Sequence, residues 1–254
     1  MAEASTGPSV GAEPAAAARR SVTDAAIHEV KQLIVTGRLA PGDRLPPEKD
    51  LAVQLGLSRS SLREAMRALT LLRVVDVRQG DGTYVSSLRP ELLIGVLDSA
   101  VDLLQDRTLL EVSEVRRVLE PAATAMAAIR ISEEDLLEAR ACLTAMEGLA
   151  DPEQFVALDV EFHDRLVRAS GNGTLAALVH SFSARTVRVR VWRLATGEGV
   201  TEWTRSQHEA IYRAVAAKDA SLALAAATVH VAEAELWLGR LLDHAQGTIS
   251  SDLG

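Results

Sequence analysis

The sequence predicts a mainly α-helical chain: an N-terminal winged helix-turn-helix followed by an all-α bundle of six to seven helices. Three observations predict it. Leu55-Gly56-Leu57-Ser58-Arg59-Ser60-Ser61-Leu62-Arg63-Glu64 reads as the turn and second helix of a helix-turn-helix. Val74 to Arg78 and Thr83 to Val85 read as two strands joined by Gln79-Gly80-Asp81-Gly82. Beyond Pro90, apolar residues recur at helical spacing with no further strand pair.

The elements follow in order. Met1 to Ala18 is rich in Ala, Ser, Gly and Pro, has no basic start followed by an apolar run, and reads as a disordered tail rather than a secretory signal. Val22 to Val35 carries Val22, Ala26, Ile27, Val30, Leu33 and Ile34 on one helical face and ends at Gly37. Pro41-Gly42-Asp43 is turn chemistry, and Pro46-Pro47 suits the start of a helix, where a missing N–H costs little. Glu48 to Leu55 buries Leu51, Ala52 and Leu55. Gly56 closes it, Leu57 drops into the core, and Ser58 caps a helix reaching Leu69 that buries Leu62, Ala65, Met66 and Leu69. The glycine-rich loop between the strands supplies the positive φ that hairpins need. Two helices around a glycine are common in any α-helical protein; the preceding helix and the hairpin are what turn the reading into a winged helix.

Residues 87–91 read as a linker. Helices are then expected over Glu91–Leu104, Thr108–Arg130, Ser132–Leu149, Pro152–Ala169, Leu175–Leu194, Thr201–Ala217 and Ala220–His244. Ser132, Asp151-Pro152 and Asp219 mark starts. Val187-Arg188-Val189-Arg190-Val191 alternates like a strand, but it has no strand to pair with and is assigned to helix. The domains are thus a tail (1–18), a winged helix (19–86), a linker (87–91), a helical domain (92–245) and a flexible C-terminus (246–254).

Charge divides along the same boundary. Arg19 to Arg89 holds 12 basic and 8 acidic residues, while residues 90–254 hold 15 basic and 25 acidic. A basic N-terminal domain suits a polyanion, and the acidic remainder argues against nucleic acid wrapping the whole molecule. The single cysteine, Cys142, excludes an intrachain disulfide, fits a reducing compartment and reads as packed. No apolar run is expected to reach membrane-spanning length, so a cytoplasmic location without membrane contact is expected.

Arg59 and Arg63 are the candidates to read guanine O6 and N7 in the major groove of double-stranded DNA, since arginine can bridge both acceptors. Ser58, Ser60 and Ser61 would meet phosphates or base edges at the helix N-terminus, where the dipole favours anions. Arg44 is placed either to reach the DNA backbone or to salt-bridge within the protein.

In the second domain, Asp159 and His163 share one helical face, and a bundle can bring His208 and His230 to them. Carboxylate and imidazole suit Zn, Ni, Mn or Fe. By spacing alone this is a weak signal, because isolated histidines are more often surface or packed residues. His28, His180 and His244 have no identifiable partner in the sequence.

The run Leu39-Ala40-Pro41-Gly42-Asp43-Arg44-Leu45-Pro46-Pro47-Glu48-Lys49-Asp50-Leu51-Ala52, with Ser58 to Ala65 and Gln79 to Val85, resembles the GntR family of bacterial transcription regulators. Glu114-Val115-Arg116, Leu119-Glu120-Pro121, Asp159-x3-His163, Ala169-Ser170-Gly171-Asn172, His208 and His230 resemble the FCD effector domain of the FadR subfamily. The resemblance implies a divalent metal, zinc first, on Asp159, His163, His208 and His230, with positions left for water or an effector carboxylate. It implies that Arg116 meets a small organic acid, where the alternative is a surface ion pair with Glu120 at i+4. It makes Asn172 a ligand-orienting residue, where the alternative is a helix cap. Lys49 matches a DNA-contact position, and Gln79 and Gly80 would place the wing near the minor groove. Asp81 departs from a basic wing tip and implies a weaker wing contact or a turn-forming role. Arg185, Arg188, Arg190 and Arg193 are candidates to add positive potential at the effector site, but are expected to face solvent or a dimer partner.

The function so implied is a homodimeric regulator, in the family's commonest arrangement a repressor, released from a palindromic operator by a carboxylate metabolite. The alternative is a metal-dependent hydrolase or oxygenase on the helical domain. Against it, Glu161 lies on a different face from the ligands and no His-Glu-x-x-His pattern occurs.

Overall fold

A computed structural model describes residues 13–95 and 107–251. The chain divides into two compact units, residues 1–96 and 97–254.

The first unit holds helices α1 (Glu13–Val35), α2 (Glu48–Leu55) and α3 (Arg59–Leu71), strands β1 (Val75–Arg78) and β2 (Gly82–Val85), and the single turn α4 (Pro90–Ile94). Helix α2 ends because Gly56 turns left-handed at φ 66°, and its N–H reaches back to the carbonyls of Ala52 and Val53. Leu57 N–H bonds Ala52 O at 2.9 Å, and Ser58 Oγ then accepts from Ser61 N–H at 3.0 Å to start α3. The helix-turn-helix angle is therefore set by one glycine and one serine. Val30, Leu45, Leu51, Leu62, Met66, Leu69, Val75 and Val85 close the core beneath it.

The hairpin is antiparallel, with Val75 opposite Val85 and Arg78 opposite Gly82. Residues 42–45 run along its other edge: Leu45 N–H bonds Thr83 O at 2.8 Å, Val85 N–H bonds Asp43 O at 2.9 Å, and Arg44 bridges to Tyr84. This third extended segment was expected only as a turn. It covers an edge that would otherwise carry unpaired backbone groups.

The second unit is a bundle of α5 (Arg107–Arg130), α6 (Glu133–Ala145), α7 (Pro152–Ala169), α8 (Gly173–Arg185), α9 (Val187–Thr196), α10 (Val200–Ala216) and α11 (Ala220–Ser251). Ser132, Asp151 and Asn172 cap α6, α7 and α8 with their side-chain oxygens. Ala128, Ile131, Leu143, Met146, Phe155, Phe162, Leu166, Ile211 and Val215 form the main core. Helix α11 packs along α5 and α10, and α7 packs against α5, α6, α8 and α9.

Several expectations are corrected. Helix α1 begins at Glu13, inside the stretch expected to be a tail, and Val22 on it is exposed rather than buried; residues 1–12 lie outside the described residues. The helix expected over Glu91–Leu104 is seen as Pro90–Ile94, beginning inside the expected linker, and residues 96–104 of it lie outside the described residues. The helix expected over Leu175–Leu194 is two helices broken at Thr186. There the Thr186 hydroxyl donates to Ser183 O at 3.0 Å, competing with the backbone ladder. Helix α11 runs to Ser251, through most of the C-terminus expected to be flexible. Ala220–Asp243 is also long and apolar enough to cross a membrane, against the expectation. Ala223, Ala227, Val231 and Leu238 on it are buried in the bundle beside the polar His230.

Candidate functional site

The N-terminal unit presents α3 as an exposed basic helix. Arg59 and Arg63 stand on its outer face, one turn apart, while Leu62, Ala65, Met66 and Leu69 hold the opposite face in the core. Arg63 Nε lies 3.4 Å from Glu48 Oε2, a contact between two half-exposed side chains that costs little to exchange for another acceptor. The Ser58 hydroxyl sits 2.9 Å from Ser60 Oγ and 2.8 Å from Ser61 Oγ, so three hydroxyls cluster over the helix N-terminus. Lys49 is exposed in the first turn of α2, and Gln79 and Gly80 are exposed at the hairpin tip.

Arg44 does not stand free. Its guanidinium donates to Asp81 O across the hairpin, and a Cβ on Gly82 would fall 2.8 Å from its Nε. Asp81 Oδ2 accepts from Tyr84 Oη at 2.8 Å, and Arg78 lies over the Tyr84 ring at 4.0 Å. Asp81 thus braces the turn from both its carbonyl and its carboxylate.

In the helical unit, α7 turns Asp159 and His163 inward at i and i+4, α10 supplies His208 and α11 supplies His230. All four are buried, and one donor atom from each lies within 4.8 Å of every other. His208 Nε2 is 3.0 Å from Asp159 Oδ1 and 3.2 Å from His163 Nε2. His230 Nδ1 meets Gln207 Oε1 at 3.1 Å, which leaves its other ring nitrogen for the cluster. His163 Nδ1 lies 3.0 Å from Glu120 Oε1. His208 Nδ1 and Glu120 Oε1 are buried without an aligned hydrogen bond. A carboxylate with three imidazoles turned together in a buried interior fits a divalent transition metal.

The electrostatics agree with that donor set. Burial pushes His163 well below the ordinary histidine value; Asp159 opposes the shift, and His208, Arg190 and Arg116 reinforce it. His230 is lowered in the same way, by burial first and then by its neighbours His208 and His163. Both imidazoles are therefore neutral with lone pairs available. Burial alone would raise Asp159, but Arg190, and then His208 and His163, hold it well below its ordinary value as a carboxylate.

Behind the cluster sits a buried ion pair. Arg116 donates from Nε at 3.1 Å and Nη2 at 2.9 Å to Glu120 Oε2, and from Nη1 at 2.9 Å to Thr186 Oγ1. The pair with Glu120 expected at the surface is thus buried, on the face of α5 that also buries Ala123, Thr124 and Ala127. Arg190, expected outside, has its side chain only 12% exposed and donates to Asp159 Oδ2. Arg188 does face solvent. Asn172 is exposed, its Oδ1 accepting from Leu175 N–H at 3.1 Å as a helix cap. His180, for which no partner was foreseen, lies 2.8 Å from Asp164 Oδ2; His28 is exposed, and the side chain of His244 is outside the described residues. Cys142 is buried, and Glu161 pairs outward with Arg165 at 2.6 Å.

Glu120 and Gln207 as members of the site were missed, and Arg190 takes the less favoured of its two readings. Glu120 carried a signal in its i+4 spacing from Arg116. Gln207 carried none that distinguishes it from other polar helix residues, and nothing in the sequence singles out Arg190 from Arg185, Arg188 and Arg193.

Comparison with known proteins accords with both units. Residues 22–85 match the bacterial regulatory proteins of the gntR family, and residues 111–233 match the FCD domain. The chain is 32% identical over 209 residues to the HTH-type transcriptional regulator LutR of Bacillus subtilis, covering 80% of this chain and 94% of that one. It is 29% identical over 219 residues to the galactonate operon transcriptional repressor of Escherichia coli, covering 83% and 93%. Its fold is similar to Streptococcus agalactiae GntR at a TM-score of 0.62 and 27% identity, covering 84% of this chain and 98% of that one. A helix-turn-helix with a wing, an FCD bundle around an Asp/His cluster, and relatives such as LutR and the galactonate repressor lead to one conclusion: the chain belongs to the GntR family, as a DNA-binding transcription regulator with an FCD effector domain and not an enzyme.

Proposed function

We propose that the protein is a homodimeric repressor whose affinity for a palindromic operator is lowered by a small carboxylate bound beside a zinc ion in the helical unit. The observation that carries this reading is the buried Asp159, His163, His208 and His230 cluster with two arginines against it. Neutral imidazoles and one carboxylate are zinc's ordinary donors, with nickel, manganese and iron the alternatives. The metal supplies a Lewis-acidic anchor for a carboxylate oxygen, and Arg116 and Arg190 supply the positive charge for the rest of the anion.

At the DNA end, Arg59 and Arg63 read base edges while Ser58, Ser60, Ser61 and Lys49 hold phosphates. Gln79 and Gly80 present the wing, which Arg44 holds in place more than it touches DNA. Dimer formation is supported by α5, where Val115, Val118 and Ile129 are exposed together with Ala122 between them at heptad spacing. Two copies related by a two-fold axis would match an operator of two half-sites.

The test uses the full-length protein loaded with zinc and a fragment of its own upstream DNA. Binding should be salt-sensitive, abolished by Arg59→Ala with Arg63→Ala, and relieved by one member of a panel of small carboxylates. Relief that persists unchanged in His208→Ala protein would sink the metal part. DNA binding unaffected by the arginine changes would sink the recognition helix. A single-copy mass by light scattering would remove the dimer.

A further inference from the structure

The carboxylate of Asp159 is shared. Its Oδ1 faces His208 Nε2 at 3.0 Å and His163 Nε2 at 3.6 Å, while its Oδ2 takes the Arg190 guanidinium. Arg190 also donates from Nη2 to Ser183 O at 3.2 Å, and its Nε is buried without a partner. Charges in this interior balance in pairs: Arg116 with Glu120, and Arg190 with Asp159. A divalent ion on Asp159 would leave two positive charges uncompensated in a place where unpaired charge is expensive. Close to Arg190, at the α8–α9 joint, the Ser183 hydroxyl is likewise buried without a partner, and Arg193 Nε in the last turn of α9 is another such donor. Unmet donors and surplus positive charge both call for an anion.

We infer that Arg190 is a built-in cation that competes with the metal for Asp159, and that metal binding turns its guanidinium over to an incoming anion. This rests on the metal reading above. The arginine therefore acts with opposite sign on the two ligands: it weakens metal binding through like-charge repulsion and partial use of the carboxylate, and it strengthens anion binding. Metal and anion then bind with positive coupling, each raising the affinity for the other by the same factor. A residue that merely orients Asp159 as an outer partner of a metal ligand would do the reverse for the metal, since losing such a partner weakens metal binding.

The experiment titrates zinc into chelator-stripped full-length protein against a chromophoric zinc indicator, with and without acetate as the probe anion. Arg190→Gln is expected to bind zinc at least about tenfold more tightly, the scale of one like charge removed from a buried site. Arg190→Lys, which keeps the charge, should stay near wild type. Acetate should raise the zinc affinity of wild-type protein several-fold, corrected for zinc–acetate complexes in solution, and raise that of Arg190→Gln by a clearly smaller factor. Zinc binding that is unchanged or weaker in Arg190→Gln overturns the inference while leaving the metal site standing. The wild-type acetate arm needs no variant, so a misfolded Arg190→Gln does not shelter the idea; absence of zinc–acetate coupling there also overturns it. If wild-type protein binds no zinc at all, the metal reading and this inference fall together, whereas operator binding by α3 is untouched.

Discussion

Replacing Glu120 by Gln tests whether the buried pair behind the cluster is what the geometry makes it. Glu120 Oε2 receives two donors from Arg116, and the two side chains are 1% and 4% exposed. The variant keeps an oxygen acceptor but leaves Arg116 as a buried charge with no counter-ion. Breaking such a pair from one side costs about 3–5 kcal/mol, and the retained amide oxygen places the expected loss near ~3 kcal/mol. For a unit of this size that is a fall in Tm of roughly 6–12 °C. Removing both charges together, in Arg116→Met with Glu120→Leu, should return most of the loss. Thr186 Oγ1 keeps its bond to Ser183 O in that variant, while His163 Nδ1 loses Glu120 Oε1 at 3.0 Å, which is why the return falls short of complete. The assay is urea unfolding followed by tryptophan fluorescence, because Trp192, Trp203 and Trp237 all lie in the helical unit and report on it alone. A loss below about 1 kcal/mol, or a double variant as unstable as the single one, would refute the argument that an uncompensated charge is the cause.

Other expectations follow from the same structure. In chelator, stability should be flat from pH 8 to 7 and fall as the pH drops below about 6.5, because His163 and His230 are lowered by burial and the unfolded chain takes up protons that the folded one refuses. Asp159 is lowered as well, but from the carboxylate range, so its contribution is intact above the ordinary carboxylate value and is lost only at far lower pH; a urea midpoint that does not change between pH 7 and 5 contradicts the histidine part. Arg59→Ala and Arg63→Ala should each cost about 1–3 kcal/mol of operator affinity and relax preference at one base pair, while Lys49→Ala should weaken all sequences alike and lower the salt slope by about one, measured by fluorescence anisotropy. Ser58→Ala removes the α3 cap and should cost the N-terminal unit about 1 kcal/mol in thermal unfolding. Gly82→Ala, at φ 142° and against Arg44, should loosen the wing and weaken DNA binding without lowering the zinc affinity of the helical unit.

The N-terminal unit was legible almost residue by residue, because its signals are local. A left-handed Gly56, a capping Ser58 and glycines in the hairpin are each read within a few positions. What the sequence did not disclose was the strand-like edge at residues 42–45, since pairing with β2 is a contact across some forty positions of chain. The helical unit divides in the same way. Asp159 and His163 declare a shared face, but His208 and His230 are joined to them only by the bundle, so their assignment leaned on family resemblance. Arg190 shows the physical limit most clearly. Its i±1 and i±3 neighbours do not say which side of a ten-residue helix faces in, and the break at Thr186 that sets its direction depends on a side-chain bond and on Arg116, far away in sequence.

The pairing of α5 with α11 bears on the order in which the molecule comes into being. Helices α6 to α10 are all threaded between these two partners. The bundle therefore cannot close until the C-terminal helix has left the ribosome, whereas the winged unit, ahead of it in the chain and complete by Val85, can fold during synthesis. His230 travels on that last helix, so the fourth donor reaches Asp159, His163 and His208 only at the final docking step. A newly made chain would thus own a DNA-binding surface before it owns a finished sensor, and truncation anywhere before α11 should leave the former and abolish the latter.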